Sequence, residues 1–143
     1  ALLTSGREVS TNATEETADP VPSDFAAVEH GVDSLTAPTD AAACAKALAA
    51  QLGTVVLLSG EEDLVTDDHT VYTVRGGSPL MRRVTGAGCM LSVLCGAFAA
   101  VEPDALPAAR HAATFWKSCA TAAAAQCRGS ASFRVALLDE ASM

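Results

Sequence analysis

The chain has 143 residues, of which 50% are apolar and 18% are charged, and its formal net charge at pH 7 is −8. This composition is typical of a globular protein and not of a disordered one, and the length predicts a single domain over residues 1–143. The acidic balance, with no basic cluster beyond Arg82 and Arg83, argues against nucleic acid or an anionic membrane as a partner. No apolar run approaches the length of a membrane-spanning helix.

The cysteine pattern indicates a cytoplasmic protein with reduced thiols. The five cysteines are odd in number and show no CxxC spacing, so neither a disulfide framework nor a zinc site is expected. The three histidines share no metal-ligand spacing and are expected at the surface or in loops. These residues are Cys44, Cys89, Cys95, Cys119 and Cys127, together with His30, His69 and His111.

The N-terminal part of the chain is the least regular, and the first strong helix signal follows it. Asn12 and Glu15 have the spacing of a capping box at the start of a short helix, which the prolines of residues 19–23 then break. From residue 39 or 40, an alanine-rich run predicts a helix that ends at Gly53.

The remainder alternates between strand and helix patterns, which predicts an α/β fold. Residues 54–58 form a continuous apolar run, typical of a strand buried on both faces of a parallel sheet. The helix at 89–101 is apolar almost all round and is therefore expected to be buried. The other predicted elements are a hairpin at 64–66 and 71–74, a helix at 107–128 and a last strand at 133–138.

A glycine-punctuated turn at residues 84–89 runs straight into the apolar helix. Thr85, Gly86, Gly88 and Cys89 lie where the first unpaired N–H groups of that helix are expected. Such N–H groups, together with the helix dipole, bind an anion without any positive side chain. The same residues are also compatible with an ordinary tight turn in which Cys89 is a small core residue.

The residues around this turn closely resemble hydroxyethylthiazole kinase, an enzyme family of thiamine biosynthesis with a ribokinase-like fold. The resemblance rests on Val84-Thr85-Gly86-Ala87-Gly88-Cys89-Met90-Leu91-Ser92, followed by Gly96-Ala97-Phe98. Shorter matches occur in the same order at residues 12–15, 31–34, 59–63, 79–81 and 132–138. The resemblance thus spans nearly the whole chain and implies a ribokinase-like layered α/β fold.

The resemblance implies transfer of the γ-phosphate of ATP, with Mg²⁺, to the hydroxyl of 4-methyl-5-(2-hydroxyethyl)thiazole. Such a transfer depends on positioning and charge neutralisation more than on covalent chemistry. The N–H groups of Gly86, Ala87, Gly88 and Cys89 would form an anion hole for the moving phosphoryl group. Cys89 would be the candidate base beside the substrate hydroxyl, and Gly86 would contact the thiazole alcohol.

Three residues outside the turn are implied in nucleotide and metal binding. Ser59 and Asn12 match ATP-binding positions, and Ser59 follows a predicted strand, where ligands of α/β sheets commonly bind. Glu15 matches a glutamate that acts near Mg²⁺ and the phosphates, and it is equally compatible with an ordinary capping box. The family forms trimers with active sites between subunits, so a homo-oligomer is expected.

Departures from the family pattern keep other hypotheses open. Ser10 and Thr11 replace an arginine-glycine pair whose arginine contacts ATP, and Arg7 lies too early in the chain to match it. The N-terminal half of the family, which holds its first strands, has no counterpart in the sequence. The chain is therefore interpreted as the C-terminal part or a truncated relative of such a kinase. The alternatives are a catalytically impaired remnant or interaction subunit that retains the phosphate-binding corner, and a cysteine hydrolase using Cys89, for which no histidine partner is evident.

Overall fold

The computed structural model describes residues 41–143, in which a small sheet and a set of helices surround one long helix. This mixed arrangement confirms the predicted α/β class. The elements are α1 (Ala41–Leu52), β1 (Val56–Leu58), β2 (Asp63–Thr66), β3 (Val71–Val74), a 3₁₀ helix (Pro79–Arg83), α2 (Ala87–Ala99), α3 (Ala105–Gln126) and α4 (Ser130–Ser142).

Helix α1 and the hairpin lie close to where the sequence predicts them. Gly53 follows α1 with φ +60°, a left-handed conformation that glycine adopts readily and that ends the helix. Strands β2 and β3 pair antiparallel, with Val65 opposite Tyr72. In the turn between them, the Asp67 carboxylate accepts hydrogen bonds from the N–H groups of His69 at 2.8 Å and Thr70 at 2.5 Å. These bonds fix the turn and therefore the register of the hairpin.

Strand β1 does not have the predicted parallel surroundings within residues 41–143. The sheet there has the order β1-β2-β3, and β1 pairs with β2 in the antiparallel sense. Val56 and Leu57 are only half-buried, and Leu58 is exposed. The second edge of β1 therefore has no neighbour in the described part of the chain.

Helix α3 presents small side chains around one tryptophan to the rest of the fold. Asp104 caps the helix by accepting a hydrogen bond from the N–H of Leu106 at 3.2 Å, so the helix begins two residues before the predicted Pro107. Its buried residues are Ala108, Ala112, Ala113, Trp116, Lys117, Cys119, Ala120 and Ala123. The sheet packs on this face through Val65 and Val74, which contact Ala113. Helices α2 and α4 pack against α3 around Trp116.

The predicted last strand at 133–138 is wrong, because these residues belong to helix α4. Phe133 and Leu137 are fully buried in the cluster around Trp116, whereas Val135 between them is 60% exposed. A spacing of four residues places two side chains on one face of a helix, while a strand would place all three on one face. The Ser132 hydroxyl oxygen accepts hydrogen bonds from the N–H groups of Arg128 and Gly129 at the start of this helix.

The expected burial of the apolar helix is also not found within residues 41–143. Helix α2 buries only Ala87 and Leu91, and Val93 is 74% exposed. The helix runs from Ala87 to Ala99, slightly earlier than the predicted 89–101. One side of α2 packs on α3, and its other side is uncovered by the described residues. No helix in this part of the chain has the length and apolar character needed to cross a membrane.

We predict that Leu137→Ala lowers the free energy of unfolding by about 2–5 kcal/mol, since it removes a fully buried side chain. Val135→Ala is the matched control and should change it by less than about 0.5 kcal/mol, because that side chain is exposed. Urea unfolding followed by circular dichroism measures both. Equal losses in the two variants would contradict the helix and support a strand.

We also predict that Asp67 makes the stability of the chain sensitive to acid. Hydrogen bonds from Thr70 and His69 lower the pKa of this carboxyl below its ordinary value of 3.8. Its stabilising contribution is therefore fully present above pH 3.8 and is lost as the pH falls through the lower folded pKa. Urea midpoints of Asp67→Asn should fall less on acidification than those of the unaltered chain, whereas the Asp68→Asn control should behave like the unaltered chain.

Candidate functional site

The glycine turn, defined as residues 84–89, leaves backbone donors open at the start of α2. Gly86 has φ +94° and is the N-cap of the helix, and its carbonyl oxygen accepts the N–H of Met90 at 2.9 Å. The N–H of Ala87 donates to the carbonyl of Val84 at 3.2 Å. The N–H groups of Gly88 and Cys89 donate no hydrogen bond within residues 41–143. Two neighbouring donors are thus free at the positive end of a thirteen-residue helix.

One side of the glycine turn packs into the core, and its other side is open to solvent. Val84 and Leu91 belong to the core cluster around Trp116, and Ala87 is also buried. A Cβ atom added at Gly86 or Gly88 would meet nothing within 4 Å, and Cys89 is exposed. The surrounding structure therefore holds the turn in place while the backbone face remains accessible. An anion approaching that face would meet N–H groups directed at it, which is how helix N-termini bind phosphate.

The Cys89 thiol lies on this open face, and no other side chain in the described residues bonds to it. His69 and His111, the two histidines within residues 41–143, are exposed as predicted, and neither forms a hydrogen bond to Cys89. Within residues 41–143, therefore, no histidine is placed to act as the base that a cysteine hydrolase using Cys89 would need.

The other cysteines act as packing residues. All five cysteines are free thiols in the structure. Burial raises the pKa of the Cys95 thiol in α2 and of the Cys119 thiol in α3, so both favour the protonated, apolar form. Cys89 is the exposed member of the set.

Ser59 begins a second turn, the Ser59 turn, defined as residues 59–62 between β1 and β2. Ser59 lies directly after the carboxyl end of β1 and is exposed. The N–H of Gly60 donates to the Asp63 carboxylate at 2.8 Å. The Lys117 ammonium donates to the carbonyl oxygens of Gly60 at 2.9 Å and Glu61 at 2.8 Å. Hydrogen bonds to the backbone of residues 60 and 61 therefore hold this turn in place, and the Ser59 side chain remains accessible.

A buried ion pair between Lys117 and Asp63 lies beneath the Ser59 turn. Their Nζ and Oδ1 atoms are 3.3 Å apart, and the two residues are 4% and 2% exposed. Burial raises the pKa of Asp63, while the Gly60 N–H and the Lys117 ammonium oppose that rise. Removing one partner of such a pair leaves a buried charge and costs about 3–5 kcal/mol. Sequence reasoning missed Lys117, although a lysine on the apolar face of an alanine-rich helix was a signal for it.

The two turns are joined through α3 and the segment that precedes the glycine turn. The hydroxyl of Thr121, one helical turn after Lys117, accepts the N–H of Gly77 at 3.0 Å. The Lys117 stem lies against Gly77, where an added Cβ would come within 2.9 Å of it. Arg82 of the 3₁₀ helix forms an exposed ion pair with Glu61 at 3.3 Å. One face of α3 thus contacts both segments that lead into the predicted site.

The remaining predicted site residues, Asn12 and Glu15, lie outside the described residues, as do Arg7, Ser10 and Thr11. Within residues 41–143, no group of three or more histidine, cysteine, aspartate or glutamate side chains could hold a metal ion. Magnesium is commonly held by one or two carboxylates together with substrate phosphates, a mode that needs no such group.

Comparison with known proteins gives a consistent result. A profile of the hydroxyethylthiazole kinase family matches residues 19–143. The chain is 46% identical over 109 residues to hydroxyethylthiazole kinase of Nitratidesulfovibrio vulgaris strain DP4, covering 76% of this chain and 41% of that protein. It is 45% identical over 112 residues to the hydroxyethylthiazole kinase of Desulforudis audaxviator, covering 78% and 41%.

A solved structure agrees with the sequence comparisons. The hydroxyethylthiazole kinase protein of Pyrococcus horikoshii OT3 superposes with a TM-score of 0.69 at 33% identity, over 71% of this chain and 40% of that chain. This likeness confirms the ribokinase-like fold class. The chain spans about two fifths of the length of these relatives. On the match of the family profile to most of its length, this chain belongs to the hydroxyethylthiazole kinase family.

Proposed function

We propose that this chain carries the phosphoryl-binding half of a hydroxyethylthiazole kinase site. In that reaction the γ-phosphate of ATP passes to the hydroxyl of 4-methyl-5-(2-hydroxyethyl)thiazole, a step of thiamine biosynthesis or salvage. The observation that carries the proposal is the pair of open N–H donors of Gly88 and Cys89 at the start of α2. Phosphoryl transfer is accelerated mainly by groups that hold and neutralise the moving phosphate, and this turn supplies them from the backbone.

Gly86, Gly88 and Cys89 of the glycine turn each have a role in this proposal. The N–H groups of Gly86, Gly88 and Cys89 bind the transferred phosphoryl group, and Gly86 lies beside the thiazole alcohol. The N–H of Ala87, also expected in the anion hole, is instead bonded to the Val84 carbonyl. Cys89, exposed on the same face, accepts the proton of the attacking hydroxyl as a thiolate and becomes the neutral thiol. The accessible Ser59 hydroxyl and Asn12 contact ATP, and Ser59 gains a fixed position from the backbone bonds of its turn.

Glu15 is proposed as the ligand of Mg²⁺, because its carboxylate is the donor type that this hard ion prefers. When bound, Mg²⁺ neutralises phosphate charge during the transfer.

The exposed apolar residues of α2 and the unpaired edge of β1 favour contacts with other polypeptide segments or subunits around the site. Val93 of α2 and Val101 just beyond it are 74% and 81% exposed, and the outer edge of β1 is unpaired in the described part. Single exposed apolar residues are ordinary, but a helix of this apolar character with one open side is typical of an interface. We propose a cytoplasmic homo-oligomer, a trimer by resemblance, acting on small molecules and not on nucleic acid or membranes.

A second candidate function is a non-catalytic remnant or interaction subunit. It is favoured by the replacement of the arginine-glycine pair by Ser10 and Thr11, and by the limited share of each relative that the chain spans. Calorimetry with ATP and Mg²⁺ distinguishes the two. Saturable heat from the 143-residue chain would support the kinase, and its absence would support the remnant.

Alanine substitutions at Gly86 and Gly88 should have different effects on stability and on phosphate binding. Gly88 has a negative φ and open space around its Cβ position, so Gly88→Ala should leave stability unchanged or slightly higher. The new methyl group lies on the binding face and should weaken ATP binding by about tenfold, equal to about 1.4 kcal/mol. Gly86→Ala should destabilise the fold by about 1–2 kcal/mol, because φ is +94° there.

Thermal unfolding and ATP titration of both variants test this pair. Unchanged ATP affinity in Gly88→Ala would contradict a phosphate at the glycine turn.

Cys89→Ala should reduce turnover by about 100-fold or more if Cys89 is the base, with little change in stability because the thiol is exposed. Phosphorylated thiazole is quantified by chromatography. Cys44→Ala, a half-buried cysteine of α1, is the control and should keep its turnover. Turnover retained in Cys89→Ala would assign proton acceptance to another group.

A further inference from the structure

The ammonium of Lys117 is a buried charge with an unusual set of partners. It is 4% exposed, and its three contacts are the Gly60 carbonyl, the Glu61 carbonyl and the Asp63 carboxylate. An ammonium group has three donors, so its hydrogen-bonding capacity is fully used by these contacts. Burying a charge is unfavourable, and an apolar side chain would fill the same space without that penalty. The Lys117 ammonium therefore acts as a hydrogen-bond donor to the backbone of residues 60 and 61, which an apolar side chain could not do.

All of these partners converge on the Ser59 turn. The Lys117 ammonium donates a hydrogen bond to the Gly60 carbonyl, and the Gly60 N–H donates to the Asp63 carboxylate at 2.8 Å. The peptide groups on both sides of the Gly60 Cα are thus fixed by one ion pair. Because Ser59 directly precedes this residue, its backbone is fixed relative to α3 as well.

The same helix face fixes the approach to the glycine turn. The Gly77 N–H donates to the Thr121 hydroxyl, and a Cβ added at Gly77 would meet both the Lys117 stem and the sulfur of Met81 in the 3₁₀ helix. The 3₁₀ helix continues directly into residues 84–89. Lys117 thus contacts both the Ser59 turn and Gly77, which precedes the 3₁₀ helix that leads into the glycine turn.

We propose that Lys117, paired with Asp63, is a positioning residue that sets the Ser59 turn relative to the glycine turn for binding of a nucleoside triphosphate. The inference rests on the proposed function. Lys117 acts through the backbone of Gly60 and Glu61, since its ammonium is occupied by protein acceptors. Substitution should therefore loosen the Ser59 turn and weaken ATP binding while leaving the glycine turn and the transfer step intact.

The test compares the unaltered chain with Lys117→Met, which keeps the stem, and with the double variant Lys117→Met/Asp63→Asn, which leaves no unpaired buried charge. Lys117→Arg tests whether a cation of different shape can make the same contacts. Lys46→Met on α1 is the matched lysine control. Should Lys117→Met fail to fold, the double variant carries the measurement.

Amide hydrogen exchange is read first, because it needs no nucleotide. We expect exchange at Gly60 to accelerate at least about tenfold, with core amides of α3 and α4 unchanged. Uniform acceleration through all helices would overturn the proposal in favour of a general structural role. Unchanged exchange at Gly60 would overturn it as well.

ATP binding and kinetics are read second. We expect the KM or Kd for ATP to rise about tenfold and kcat to change little, the pattern of lost ground-state binding. A looser Ser59 turn with unchanged ATP affinity would overturn the nucleotide role of Lys117. If the unaltered chain binds no ATP, the proposed function fails, and with it the nucleotide role, while the exchange data still decide whether Lys117 sets the turn.

Discussion

Close packing against α3 is the constraint on which the rest of this fold depends. Its alanine-rich face allows the sheet to approach through Val65 and Val74, and it allows α2 and α4 to meet around Trp116. Interiors pack at the density of organic crystals, so small residues on one helix require large ones on its neighbours. Phe133 and Leu137 of α4 meet that requirement. The glycine turn is held in place by the same contacts, through Val84 and Leu91.

The candidate site is built mostly from backbone, which explains why charge and composition carry so little information about it. An acidic chain would not be expected to bind a phosphate on the basis of its net charge. The two free donors at the start of α2 provide a local positive potential without any lysine or arginine. Lysine enters the site only indirectly, as Lys117 beneath the Ser59 turn.

Local signals predicted the parts of the structure that local contacts determine. The capping glycine of α1, the hairpin around Asp67 and the glycine turn all follow from turn chemistry within a few residues. The residues of that turn also carried the family resemblance that the profile match confirms. The short apolar run at 133–138 was assigned wrongly because such a run fits a strand and a buried helix equally well. Lys117 was missed because its carbonyl partners lie more than fifty residues away.

The three ion pairs around the Ser59 turn differ in their access to dissolved salt. Arg75–Glu62 and Arg82–Glu61 are exposed, and mobile ions screen such pairs over a Debye length of about 8 Å at physiological ionic strength. The Lys117–Asp63 pair is enclosed by protein, where those ions do not reach. The two exposed ion pairs therefore weaken as the ionic strength rises, whereas the buried Lys117–Asp63 pair is little affected. A rise in ionic strength would therefore loosen the side chains at the surface of the turn before it affected the Lys117–Asp63 pair beneath it.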